Sequence, residues 1–219
     1  MDMQKHIDYE AIMAMEKQMR VNFINSIGGF KSVCLVGTQN ESKQINLAIH
    51  SSLVHIGSNP PLYGIVFRPG VVERHTMENI LATKYYTINH INETIYRKAH
   101  QTSARYPRNI SEFEVVQLQS EFKNEFFAPF VKESVVQMAM EFKEKIDLKI
   151  NNTVLIIGEV KAVYLPVNCL QIDGFLDIEK ANSMTCSGLD SYHITQRLER
   201  LSYAKPDREL TRIISDYFE

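Results

Sequence analysis

The chain has 219 residues, 44% hydrophobic and 23% charged, with a formal net charge of −2. That composition suits one globular domain with a sizeable core, and the near-neutral charge argues against a nucleic-acid partner, whose domains are usually strongly basic. The longest apolar runs, such as Val154–Ile157, are far too short to span a bilayer. The N-terminus alternates charged and apolar residues and lacks the hydrophobic core of a secretion signal. A cytoplasmic protein with no membrane partner is therefore expected. Cys34, Cys169 and Cys186 are odd in number and widely spaced, which is no disulfide framework and suits a reducing compartment. Cys34 reads as a core residue within Val33–Val36, whereas Cys186 leaves a reactive role open. No metal-ligand spacing is present, and His50 and His55, five apart in a β segment, read as structural.

In chain order, Ile12, Met15, Met19, Phe23 and Ile27 recur at helical spacing, so the segment from Met3 to Ile27 is predicted to be a helix stopped by Gly28-Gly29. Phe30–Thr38 reads as a buried strand, and Gln39–Ser42 as a turn before a strand over Ile45–Ser51. Ser58-Asn59-Pro60-Pro61 is a turn, followed by a strand over Leu62–Phe67 and a basic loop over Arg68–His75. Thr76 is predicted to cap the next helix, its hydroxyl accepting from the N–H of Glu78 or Asn79. A strand over Tyr85–Ile91, a short helix over Glu93–Ser103 and a mixed segment over Glu112–Phe127 follow. Pro129 breaks the chain before a strand over Ser134–Phe142, and Asn151-Asn152 turns it into a strand over Thr153–Leu165. Strands and turns alternate with helices inserted, so the fold is expected to be mainly β with inserted helices (α+β), antiparallel rather than doubly wound. No Gly-x-Gly-x-x-Gly follows a strand, so a Rossmann unit has no support. The tail over Gln196–Glu219 interleaves arginines with acids and reads as a solvated face or a partner-docking arm, the former preferred.

The stretch Asn46–Asn79 is the richest in chemistry. A helix N-terminus fed by a basic loop is a ready phosphate site, because free N–H groups and the helix dipole both favour negative charge. Arg68, Arg74 and Thr76 are the candidate phosphate ligands, since the arginine fork meets phosphate oxygens in pairs. Taken alone, the two arginines also fit an ordinary surface loop and Thr76 a plain cap. Ser51-Ser52 offers small hydrogen-bonding groups against which a planar polar ring can lie, and a pair of strand-edge serines is the plainer alternative. No triad or paired carboxylate is present, which speaks against a hydrolase.

Five pieces in order carry a resemblance: Asn46-x-Ala48-x-x-Ser51 with the Pro60-Pro61 turn, and Thr76-x-x-Asn79-Ile80; Tyr85–Asn89; Thr102–Pro107 with Ser111–Glu114; and Ile156–Val160. Together they resemble the FMN-binding split-barrel flavin reductases, from about Phe30 to Tyr192. The resemblance implies an N-terminal helix over 1–29, a flavin reductase-like split β-barrel over 30–195 and a charged tail over 196–219. It implies FMN held by Asn46, Ser51, Ser52, Leu53, Val54, Arg68, Arg74, His75, Thr76, Asn79 and Ser103, with no catalytic side chain. Arg105 falls in the same loop as Ser103. The family often has an aromatic residue where Leu53 stands and a proline where Ile49 stands, so the ring's stacking partner does not carry over.

The implied activity is hydride transfer from NADH or NADPH to bound flavin and on to a small acceptor or free flavin, chemistry that the cofactor carries. A homodimer with the site at its interface is also implied, for which the apolar N-terminal helix and the strand around Met138 and Met140 offer surface. An FMN-binding electron carrier, a pyridoxamine-phosphate oxidase-like enzyme and a non-catalytic interaction protein remain as alternatives.

Overall fold

A computed structural model describes residues 3–69 and 74–218, so part of the basic loop, residues 70–73, lies outside the described residues. The N-terminal segment forms two helices, α1 (Tyr9–Ala14) and α2 (Lys17–Ser26), rather than the single helix expected. The break has a local cause. The Glu16 carboxylate accepts from the N–H groups of Gln18 and Met19, satisfying first-turn donors that a continuous helix would bond to its own carbonyls. Arg20 holds the kink by donating to the carbonyls of Met13 and Met15. Neither helix buries a residue in its own chain.

The barrel strands are β2 (Cys34–Gln39), β3 (Ile45–His50), β4 (Leu53–Ser58), β5 (Pro61–Phe67), β6 (Tyr85–His90), β9 (Gln137–Leu148) and β10 (Thr153–Tyr164). Three short pieces complete the β structure: β1 (Lys31–Ser32) with β11 (Thr185–Ser187) and β12 (Ser191–His193), and β7 (Ser120–Glu121) with β8 (Phe130–Val131). The helices are α3 (His75–Thr83), α4 (Tyr96–Gln101) and α5 (Glu112–Val115).

The main sheet has seven antiparallel strands in the order β3-β2-β6-β9-β10-β5-β4. Its two edge strands, β3 and β4, are consecutive in the chain and joined by Ser51 and Ser52 alone. In a flat sheet six inter-strand gaps would separate them by about 29 Å, whereas that linker reaches at most about 11 Å. The sheet must therefore curl until its edges approach, giving a barrel whose seam is not closed by strand pairing. Ser52 pins the joint: its hydroxyl donates to the Val66 carbonyl at 2.8 Å and accepts from the Val66 N–H at 3.2 Å.

β2 is buried along its whole length because both of its faces are covered. Cys34 and Val36 pack inside with Ile65, Phe67, Ile80, Tyr86, Met138, Met140 and Ile156. Leu35 packs outside with Leu47, Ile91, Ala99 and Phe113 beneath α4 and α5. Met138 and Met140 are thus core residues, 7% and 0% exposed, and offer no docking surface. The expected strand over Ser134–Phe142 begins at Gln137 and runs on to Leu148, because β10 opposite it extends the pairing as far as Leu148.

The tail is more than a solvated face. Arg197 and the Tyr217 hydroxyl both donate to the buried Asp177 carboxylate, at 2.9 and 2.6 Å, and Arg200 pairs with Asp173 at 2.6 Å. Between these anchors the chain doubles back through bridges at Leu201–Arg212 and Lys205–Arg208.

Candidate functional site

A cavity of about 890 Å³ opens along the barrel seam. β3 contributes Asn46, Ala48, Ile49 and His50 to its wall, and Ser51 follows at the joint. The end of β5 adds Val66 and Phe67, with Arg68 just beyond, and the start of α3 adds Arg74, His75 and Thr76. The facing wall is the segment from Thr102 to Arg108 with His100, Glu112 and the β11–β12 hairpin.

Seven of the residues singled out from sequence therefore share one cavity: Asn46, Ser51, Arg68, Arg74, His75, Thr76 and Ser103. The other four stand behind it. Ser52 bonds Val66, Leu53 packs against the inner core, Val54 is 44% exposed on the edge strand, and Asn79 donates to the Thr38 hydroxyl at 3.0 Å.

Thr76 is not the helix cap. Arg74 occupies that position and makes no side-chain capping bond. Thr76 lies within the first turn, buried, where its hydroxyl accepts from Asn46 Nδ2 at 3.0 Å. The capping chemistry runs the other way, from Glu78, whose carboxylate accepts the Arg74 backbone N–H at 2.9 Å. Glu78 also pairs with Arg108, tying the facing wall to α3. Desolvation opposes ionisation of Glu78, yet the Arg74 N–H, Arg108 and His75 outweigh it and hold the carboxyl below its ordinary range.

The charge in the cavity is uneven. Among the described residues the buried Arg74 Nε has no hydrogen-bond partner, a state that costs free energy unless an acceptor arrives. Burial, with the Arg74 charge beside it, pushes His50 down to about 4, so this imidazole is neutral near pH 7. Its ring meets Phe67 edge-on at 4.9 Å. Burial raises Glu112, partly offset by the Leu47 N–H that its carboxylate accepts at 3.0 Å. That bond satisfies an outward N–H of the edge strand β3. Across the cavity His100 Nδ1 lies 2.8 Å from the Tyr192 hydroxyl, which burial, then Cys186 and Asp190, push up to about 12. Cys186 is 3% exposed and burial raises its thiol, which removes the basis for a reactive role.

Sequence reasoning assigned no cavity role to His50, Glu112, Arg108, His100 or Tyr192. Arg105-Tyr106-Pro107-Arg108 carried a local signal of paired cations around an aromatic ring. His100 and Tyr192 carried none, being far apart in the chain.

The family model described as the flavin reductase like domain matches residues 30–172. A presumed flavin reductase with a split barrel domain from Shewanella frigidimarina superposes with a TM-score of 0.89 at 47% identity, covering 92% of this chain and 100% of that one. Nitrilotriacetate monooxygenase component B from Bacillus cereus matches at 18% identity with a TM-score of 0.79, over 92% and 100% of the two chains. Flavoredoxin of Desulfovibrio vulgaris matches at 20% identity with a TM-score of 0.67, over 82% and 92%. The latter two share the fold. The seam-opened antiparallel barrel and the match over most of its length agree, and the chain belongs to the flavin reductase-like family.

Proposed function

We propose that this chain binds FMN in the seam cavity and is an oxidoreductase that transfers hydride from NADH or NADPH by way of that flavin to a small acceptor or free flavin. The observation that carries the reading is the Arg74 Nε, buried and without a partner among the described residues, at the N-cap of α3 and inside a cavity of ligand size. A guanidinium with an orphaned Nε at the positive end of a helix fits a phosphate monoester. The residues present thus fit the group.

Arg68, Arg74 and the first turn of α3, with His75 and Thr76, hold the phosphate. Asn46 has its amide nitrogen engaged by Thr76 and Thr38, which leaves its oxygen to accept from a ring N–H. Ser51 and the β3–β4 joint would hold the ring's edge, and Ser103, lining the same cavity, would contact it. Ser52, Leu53, Val54 and Asn79 shape the walls from behind. The chemistry that FMN supplies when bound is reversible two-electron uptake at its ring, so the protein's task is orientation, charge and exclusion of water.

The working unit is a homodimer in the cytoplasm. α1 and α2 support the dimer, because neither has a fully buried residue while Tyr9, Met13, Met19 and Ile24, with Ile27 at the cap, stand exposed.

Purified protein titrated with FMN should quench flavin fluorescence, sediment as a dimer and oxidise NADH or NADPH. Protein that fails to bind excess FMN refutes the reading. FMN binding without nicotinamide turnover would make it an electron carrier instead.

A further inference from the structure

Four arginines line the cavity: Arg68, Arg74, Arg105 and Arg108. Arg108 is neutralised by Glu78. Arg68 meets the Asn25 amide at 3.5 Å, and Arg74 keeps its orphaned Nε. Arg105 has no hydrogen bond or ion pair among the described residues. Of the two carboxylates among the described residues of the wall, Glu112 is engaged by the Leu47 N–H. Asp190, at the β11–β12 turn, makes no ion pair with Arg105 among the described residues.

A phosphate monoester carries about −1.5 to −2 near neutral pH, which Arg68 and Arg74 balance between them. Among the described residues of the wall, Arg105 is the cation left over. Arg105 itself is exposed, and the chain on its C-terminal side is anchored. Its neighbour Tyr106 accepts from Gln101 Nε2 at 2.8 Å, and Arg108, three residues on, is tied to α3 through Glu78. The cavity, at about 890 Å³, stands near the top of the range of roughly 300–1,000 Å³ for single-ligand sites, so there is room for a second ligand over the first.

We propose that Arg105, with Tyr106 beside it, docks a second, anionic ligand, and that this anion is the 2′-phosphate that distinguishes NADPH from NADH. The inference rests on the reading above, in that the flavin phosphate occupies Arg68 and Arg74. The arginine fork meets a terminal phosphate through two oxygens, and the Tyr106 ring offers a face to the attached adenine. A small acceptor bearing a carboxylate is the other source of such an anion.

Calorimetric titration of 2′,5′-ADP against 5′-AMP, which differ by the phosphate in question, tests the proposal on protein with and without FMN. The expected result is at least tenfold tighter binding of 2′,5′-ADP, with the difference lost in Arg105→Ala and partly kept in Arg105→Lys. In turnover, KM for NADPH should lie about tenfold below that for NADH, and Arg105→Ala should bring the ratio near one through KM rather than kcat. Equal binding of the two nucleotides by the wild type overturns the proposal, as does a difference that survives Arg105→Ala. Succinate binding more tightly than 2′,5′-ADP, and losing that affinity in Arg105→Ala, would give the subsite to the acceptor and also overturn it. Failure of FMN to bind, read in its own titration, would instead count against the flavin reading, whereas the Arg105 subsite is read by the change that Arg105→Ala makes in the ratio of 2′,5′-ADP to 5′-AMP affinity.

Discussion

Gly158 should be among the least replaceable residues of the barrel, although its backbone is not in the left-handed region. A Cβ added there would stand 2.1 Å from the Tyr86 hydroxyl, 2.9 Å from Cζ and 3.0 Å from Cε1. Tyr86 is 0% exposed and packs among Cys34, Ile65, Ile88 and Met140, so its ring cannot swing away without displacing the core. Overpacking of this kind costs about 1–3 kcal/mol, and at roughly 2–4 °C per kcal/mol for a chain of this size Gly158→Ala should lower Tm by roughly 2–12 °C. Tyr86→Phe removes a hydroxyl that is buried without a partner, so alone it should be neutral or slightly stabilising. In the double variant the closest clash disappears and those at 2.9 and 3.0 Å remain, so rescue should be partial, with a coupling of at least about 0.5 kcal/mol. Urea denaturation of the four proteins measures the cycle. A Gly158→Ala protein as stable as wild type, or two strictly additive substitutions, would refute the steric reasoning.

Arg74→Ala should weaken FMN binding about ten- to a hundredfold, and riboflavin, lacking the phosphate, should bind wild type more weakly by a similar factor; fluorescence titration reads both. Thr76→Val should lower the thermal midpoint of flavin-free protein, since it leaves Asn46 Nδ2 short of a buried partner at 3.0 Å. All three thiols should resist a disulfide reagent until the protein unfolds, because each is buried and burial pushes Cys34 up to about 12; one fast-reacting thiol would disprove this. Desolvation of Asp177 is outweighed by the Tyr217 hydroxyl, the Lys180 N–H and Arg197, which bring it down from 3.8 to about 2. A depressed carboxyl stabilises above its unfolded value, so anchorage of the tail should be complete above about pH 4 and fail as pH falls toward 2; Asp177→Asn should expose residues 198–212 to protease at neutral pH, and an unchanged digest would contradict the anchor.

The legible parts of the fold were those in which one local pattern decides the outcome. β2 opens on the apolar run Cys34–Val36, buried on both faces, and β5 begins in the turn at Ser58–Pro61. The break at Glu16 was hidden because the apolar spacing across Met15 continues as if one helix ran through, while a single carboxylate decides otherwise. β4 was missed because Leu53–Ser58 is exposed on most of its length and lacks a buried face to set a period of two. Within the site, Asn46, Ser51, Arg68, Arg74, His75, Thr76 and Ser103 converge. Asn79 belongs instead to the bonds beneath them, Asn79 to Thr38 and Asn46 to both Thr38 and Thr76. Sequence spacing places Thr76 and Asn79 on one helical face but does not say which of them reaches the open side.

The position of the cavity follows from the barrel's failure to close. Pairing of β4 with β5 stops at Leu53–Ile65, and the next residue, Val66, turns its N–H and carbonyl to the Ser52 hydroxyl instead of to a strand. On the opposite edge Leu47 gives its N–H to Glu112 rather than to a neighbouring strand. Each edge is thus satisfied by a side chain, which also blunts it against pairing with another sheet. The backbone from Ala48 to Ser51, by contrast, lies against the cavity on the same seam as Val66 and Arg68. α3 brings its positive end and Arg74 to the same cavity. The two-residue joint that forces the sheet to curl is thus also what places the cavity.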